Sequence, residues 1–261
     1  MNIFKNIEDH KDFNIDPEWY KNRKEGISCY YRVKNEGEFI KPSILSIIDW
    51  VDEVIVALQP SEDNTREMIE SIDSHKIKIL DYPFDLLPNG PGFMGQNPSS
   101  VHCKTYYYNW TLSKTTYDWA LKWDGDMVAL PNMEQYVKRD IGRRFYGHEI
   151  VKVSCENFWR SKIHPTSNAA PSGLFKVRSG LSYLNGEQTH RFNKPEGKYT
   201  GNSFLHFKWC KKYFDDIWQK DWENIPKFQN LCKRAIAGDK YEGDIPQVLL
   251  PFLKDEMGFK G

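Results

Sequence analysis

Asp124 and Asp126 stand one glycine apart in Lys122-Trp123-Asp124-Gly125-Asp126, directly behind the apolar run Trp119-Ala120-Leu121. Such a pair can be a plain tight turn, its carboxylates satisfied by water or backbone amides. It also suits a divalent cation. Magnesium and manganese take oxygen ligands, and a departing diphosphate needs its growing negative charge neutralised. On that reading Asp126 ligates Mn2+ or Mg2+ directly, Asp124 reaches the metal through bound water or meets a ribose, and Gly125 lets the backbone turn and a ligand approach closely.

The elements around this pair must put it at the edge of a sheet. Ile27-Ser28-Cys29-Tyr30-Tyr31-Arg32-Val33 reads as a first strand, closed by the turn Asn35-Glu36-Gly37. Phe39, Ile40, Ile44, Leu45, Ile47 and Ile48 keep helical spacing, with Pro42 in the first turn. Glu53 to Leu58 is a short β-branched run of the kind buried in a parallel sheet. A helix capped by Asp63 or Asn64 runs through Ile72, and Lys76 to Leu80 forms a third strand.

Strand, helix, strand, helix, strand predicts a doubly wound α/β sheet with right-handed crossovers and ligands outside the strand C-termini. A Pro/Gly/Asn/Ser-rich stretch over 82–100 is too long for a plain connection and reads as a functional loop. A helix over Val101 to Leu112 precedes a fourth strand, Asp118 to Trp123, which delivers the two aspartates. Beyond Pro131 the pattern predicts a short helix (Met133 to Arg139) and strands at Glu149 to Ser154, Leu174 to Val177 and Phe204 to Phe207, a mixed or antiparallel half. From Trp209 onward the spacing is helical. The expected organisation is therefore a lead-in over 1–26, one domain over 27–209 split at 126 into a nucleotide-binding and an acceptor half, and a helical extension over 210–261 packed on it.

Composition narrows the partners. The 261 residues carry 36 basic and 36 acidic side chains, so no whole-protein field gathers nucleic acid or an anionic membrane. The opening residues lack the apolar core of a secretory signal, and Ile44 to Leu58 is broken by Asp49, Asp52 and Glu53, so neither export nor a membrane span is expected. The expected place is the cytoplasm, or peripherally at a membrane surface. Five scattered cysteines without a Cys-x-x-Cys pair read as reduced thiols. The oligomeric state is not legible.

Ile27 to Thr65 together with the Asp124-Gly125-Asp126 strand resembles glycosyltransferases of the GT-A fold, particularly the family 2-like group. The family's first strand ends in a turn such as Arg-x-Lys-Asn-Glu, here Arg32-Val33-Lys34-Asn35-Glu36, and its second in a Ser-Thr-Asp-Gly-Thr-like turn, here Ser61-Glu62-Asp63-Asn64-Thr65. The resemblance covers the first half of the chain and fades after Pro131. It implies a GT-A-like, mostly parallel sheet flanked by helices, and a metal-dependent enzyme. Such an enzyme moves a sugar from a nucleotide-sugar donor to a hydroxyl of a glycan or glycolipid, with inversion.

Carried over by position, Asp63 lies near the base or ribose, and Arg32, Asn35 and Glu36 line the nucleotide pocket. Asp63 is equally a helix N-cap, and Arg32 or Glu36 an ordinary surface charge. The usual Asp-Gly-Ser turn is replaced by Gln59-Pro60-Ser61, so uridine does not follow. In Ser203-Phe204-Leu205-His206-Phe207-Lys208-Trp209 the family places a metal- or diphosphate-binding histidine, which makes His206 a metal candidate and Lys208 a diphosphate candidate. The alternative for His206 is a satisfied core histidine. Inversion needs a carboxylate to deprotonate the acceptor. Glu187 is the first choice, next to a Gly/Lys-rich lid over Gly186 to Gly201, with Asp215 and Asp216 as alternatives. Phe158 and Trp159 are candidate platforms for an acceptor sugar, whereas Tyr106-Tyr107-Tyr108-Asn109-Trp110 reads as helix packing.

Two rivals remain. A nucleotidyltransferase would carry a Gly-rich, basic loop after the first strand, where this chain has one glycine. A catalytically silent nucleotide- or carbohydrate-binding protein would share the whole pattern.

Overall fold

A run of six residues buried along its whole length, Glu53–Leu58, has to sit inside a sheet with both faces covered. In a computed structural model, whose described residues are 4–86, 96–142, 150–159, 162–163, 172–185, 188–189, 197–207, 210–211 and 238–253, it does. It is strand β2, flanked in parallel by β1 (Lys24–Val33) and β3 (Ile77–Asp81). The fourth parallel strand, β4 (Tyr117–Lys122), lies on the other side of β1. The order β3-β2-β1-β4 is the doubly wound pattern expected. Helices α1 (Ile40–Leu45), α2 (Thr65–Glu70) and α3 (Lys104–Ser113) make the crossovers.

Alternate residues of β1 face opposite layers, as the period of two requires. Cys29, Tyr31 and Val33 join Ile40, Ile44, Val54, Val56 and Leu121 in one cluster. Tyr30 joins Ile55, Ala57, Ala120, Tyr107 and Trp110 in the other, against which Phe4, Phe13, Trp19 and Tyr20 of the lead-in also pack. That lead-in contains one short 3-10 turn, Lys11–Phe13.

The sheet continues beyond β4 in mixed sense. β4 pairs antiparallel with β8 (Ser172–Lys176), and β8 antiparallel with β6 (Ile150–Trp159). β6 runs parallel to β11 (Gly197–His206), and β11 antiparallel to β5 (Met127–Ala129). Short strands β7 (Lys162–Ile163), β9 (Tyr183–Asn185) and β10 (Gln188–Thr189) complete the set, and α4 (Asn132–Gly142) follows β5.

Several expectations shift. β1 begins at Lys24 rather than Ile27, because its pairing with β4 is interrupted between Lys24 and Ile27 and Gly26 takes φ 137°, which breaks the alternation. β5 was not expected; three residues carry no periodic signal. Residues 197–201 of the expected lid are strand, paired in part with β6. In the extension, 212–237 and 254–261 lie outside the described residues, and the described part forms a 3-10 turn, Gln247–Phe252. Phe158 is fully buried and stacks on Phe207 at 5.2 Å, so it offers no platform to an acceptor sugar. Among the described residues no helix is long and apolar enough to cross a membrane.

Candidate functional site

Parallel pairing sets Val33 beside Leu58 and Tyr30 beside Lys122, so the turns after β1, β2 and β4 emerge on one edge. The first two turns are sewn together. Asn35, at φ 55°, donates its N–H to Ser61 Oγ (3.1 Å) and accepts the Glu62 N–H at Oδ1 (2.8 Å). Asp63 accepts the Gly37 N–H at Oδ2 (2.9 Å) and the Thr65 N–H at Oδ1 (3.1 Å), so it ties the first turn to the start of α2. The resemblance implies both as nucleotide contacts, with a helix N-cap as the alternative for Asp63. In this structure each orders the backbone there.

Behind β4, Asp124 is held by two cations from neighbouring strands. Arg32 Nη2 donates to Oδ1 at 2.8 Å and Lys122 Nζ to Oδ2 at 3.1 Å. Burial works against the charged carboxylate, but Lys122 and then Arg32 hold its pKa down at about 2. The Arg32 side chain is 3% exposed, with its guanidinium carbon 3.7 Å from the centre of the Tyr108 ring. Its Nε and Nη1 have no hydrogen-bond partner, so the aromatic face is what compensates their burial. The tyrosine cluster on α3 is helix packing, as expected, and one ring of it also seats this arginine.

Asp126 turns the other way, towards β11. The Phe207 N–H donates to its carbonyl at 2.8 Å, and His206 Nε2 lies 3.3 Å from Oδ1. His206 Nδ1 in turn lies 2.6 Å from Asn157 Oδ1 on β6. An amide oxygen only accepts, so Nδ1 carries a proton towards Asn157 and Nε2 is the ring nitrogen that faces Asp126.

On the other carboxylate oxygen, Lys211 Nζ donates to Asp126 Oδ2 at 2.7 Å and to Glu36 Oε1 at 2.6 Å. Burial favours the neutral form of Asp126, but Lys211 and then His206 hold it well below the usual carboxylate range. Glu36, the poorer competitor for the same ammonium, is pushed by burial up to about 8, with Lys211 opposing and Asp126 adding to the rise. Lys211 is itself raised above the ordinary lysine value; burial opposes this and the two carboxylates overcome it.

Three acids, Glu36, Asp124 and Asp126, thus face three cations, Arg32, Lys122 and Lys211, with His206 beside Asp126. Sequence reasoning picked out Asp124, Asp126, Arg32 and His206, and the fold brings all four together. It missed Lys211, and it offers Glu36 both as a residue lining the nucleotide pocket and as an ordinary surface charge. Gly125 also has a sharper reason than a free turn: a β-carbon there would stand 2.9 Å from both Cβ and Cγ of Glu36. Glu187 and Lys208 lie outside the described residues, as do Asp215 and Asp216.

Among the described residues no three acid, histidine or cysteine side chains form a ready metal-binding group, but two neighbouring side chains offer atoms of the kind Mn2+ or Mg2+ takes. Asp126 supplies oxygen and His206 a nitrogen whose ring is oriented through its second N–H, the usual arrangement for a metal-ligating histidine. Glu36 Oε2 is buried without a partner at the same place.

No protein-family model matches the chain, and no curated protein does. Among solved structures it is similar to glucosyl-3-phosphoglycerate synthase from Mycobacterium tuberculosis in complex with Mn2+, UDP-glucose and phosphoglyceric acid. That match has 19% identity over 55% of this chain and 47% of that one, with a TM-score of 0.37. It is also similar to S. aureus TarS 1-349, at 9% identity over 89% and 82% of the two chains and a TM-score of 0.45. The same protein in complex with UDP matches at 13% identity, 90% and 72% coverage and a TM-score of 0.45. The chain spans about half the length of the mycobacterial synthase.

Proposed function

We propose that the chain is a metal-dependent glycosyltransferase that moves a sugar from a nucleoside diphosphate donor to a hydroxyl of a glycan or glycolipid, with inversion. The observation that carries this reading is the convergence of Asp126, from the C-terminal end of β4, with His206, from the end of β11. They meet on the edge where a doubly wound sheet binds its ligands. Asp126 and His206 would hold Mn2+ or Mg2+ with the unpartnered oxygen of Glu36 close by, while Asp124 acts through bound water or the ribose. The ion would neutralise negative charge on the leaving diphosphate.

The chain's own groups do the rest. Arg32, fixed under Tyr108, keeps Asp124 charged and aimed at the edge. The turns at 35–37 and 61–65 hold each other in place where the nucleotide would lie. Glu187 is the group we assign to removing the acceptor hydroxyl's proton, and Lys208 a charge for the diphosphate.

The test is donor hydrolysis and sugar transfer with and without EDTA, after a thermal-shift screen of nucleoside diphosphates and nucleotide sugars with manganese names the donor. Asp126→Ala should lose activity by at least about a hundredfold, as expected when a metal ligand that stabilises developing charge is removed. Undiminished turnover in that variant would remove the central claim. Metal-dependent binding without turnover would favour a silent binding protein instead.

A further inference from the structure

Lys211 is the residue of the cluster that no motif announces. Its ammonium lies 2.7 Å from Asp126 Oδ2 and 2.6 Å from Glu36 Oε1, and the side chain is 9% exposed. It therefore touches Asp126, which also faces His206, and Glu36, whose other carboxyl oxygen is buried without a partner. A dication held by Asp126 and an ammonium hydrogen-bonded to the same carboxylate would lie within a few ångströms of each other, with little water between to screen them. Each would destabilise the other.

Lys211 stands differently in the chain from Arg32 and Lys122. Those two rise from strands β1 and β4, and Arg32 is clamped under an aromatic ring. Lys211 follows β11 by five residues. The backbone just before it is anchored, since the Cys210 N–H donates to the Phe207 carbonyl at 2.9 Å. Its four-carbon arm crosses to the acids from outside the strands of the sheet.

We infer that Lys211 and the divalent ion are alternative occupants of one acidic cluster, so that metal enters as the Lys211 ammonium withdraws from Asp126 and Glu36. The lysine keeps the buried acids neutralised before metal arrives and sets the affinity with which metal is taken up. This rests on the metal-dependent reading above, and its test reads metal binding rather than turnover.

Protein stripped with EDTA and dialysed is titrated with Mn2+, and free ion is followed by electron paramagnetic resonance, for the wild type, Lys211→Met and Lys211→Arg. Removing the competing charge should tighten Mn2+ binding by about tenfold or more in Lys211→Met, whereas Lys211→Arg, which keeps the charge, should stay near the wild type. A second measurement needs no variant. Lysine acetylation of wild-type protein, read by mass spectrometry, should find Lys211 protected in stripped protein and labelled at least about threefold faster with saturating Mn2+. Binding in Lys211→Met no tighter than in the wild type, or Lys211 labelling that stays flat or falls with Mn2+, would overturn the inference while leaving the metal site standing. Mn2+ binding to none of the three proteins would overturn both.

Discussion

A single methyl group placed at residue 125 tests whether the glycine between the two aspartates is there for Glu36. Gly125 is not among the residues with positive φ, so alanine can adopt its backbone without strain. What alanine cannot do is fit. Its β-carbon would lie 2.9 Å from Glu36 Cβ, 2.9 Å from Cγ and 3.1 Å from Cδ. Ordinary carbon contacts begin at about 3.5 Å, so the overlap is roughly 0.6 Å against a side chain held by Lys211. Overpacking of this kind costs about 1–3 kcal/mol, while losing a glycine from the unfolded chain returns about 0.4–1 kcal/mol. The net expectation for Gly125→Ala is a loss of about 1–2 kcal/mol in urea unfolding. A double-mutant cycle locates the cause: Glu36→Ala removes two of the three crowding atoms, so the penalty of Gly125→Ala should shrink by at least about 0.5 kcal/mol in that background. A Gly125→Ala protein as stable as the wild type, or a penalty unchanged by Glu36→Ala, would refute the reasoning.

Two further expectations concern the charges around the sheet. Arg32→Lys keeps the positive charge but loses the planar group on Tyr108 and the fixed reach to Asp124, so it should destabilise by about 1–3 kcal/mol, and a neutral outcome in urea unfolding would count against the stacked arginine. Glu53, 4% exposed, accepts from Ser28 Oγ at 2.6 Å and from Lys78 Nζ at 3.1 Å; burial pushes its pKa up, but these bonds and the Thr116 N–H bring it below the ordinary 4.5. A carboxylate lowered on folding stabilises above its unfolded pKa and loses that contribution as pH falls through the folded one. Glu53→Gln should therefore cost about 1–2 kcal/mol at neutral pH, a gap that closes as pH falls below the ordinary 4.5 and through the lowered pKa of Glu53. A gap of constant size across that range would show that the charge is not what Glu53 contributes.

How much could be read in advance depends on whether a feature is local in the chain. Glu53–Leu58 appears with the bounds its residues announce, because a strand buried on both faces writes its whole length in apolar side chains. Asp124 and Asp126 are legible for a related reason, since they follow such a strand where the pattern stops and a turn begins, whereas Arg32 is reached only through the resemblance. The Glu36–Lys211 pair was not. Its members are 175 residues apart, and they meet because β5 reverses the chain after Asp126 and runs antiparallel to β11. Strand β5 is three residues long, too short for a period, so the one element that closes the site left no mark of its own.

That geometry divides the cations of the site into two kinds. Folding three carboxylates onto the edge of an apolar sheet is unfavourable unless positive charge folds with them, since an unpaired buried charge costs several kcal/mol. Arg32 and Lys122 meet that need for Asp124 from within the sheet, on strands β1 and β4. Asp124 is still 31% exposed, so one side of it remains open to water or a ribose while its charge is secured. Asp126, at 6%, is satisfied instead by His206 and by Lys211, a residue beyond the last strand of the sheet. The two aspartates of one motif are thus unequal by construction. Asp124 has a fixed counter-charge and an open face, which suits a carboxylate that accepts hydrogen bonds without changing partners. Asp126 has a counter-charge on a movable arm and an imidazole nitrogen beside it, which suits a carboxylate whose cation is exchanged.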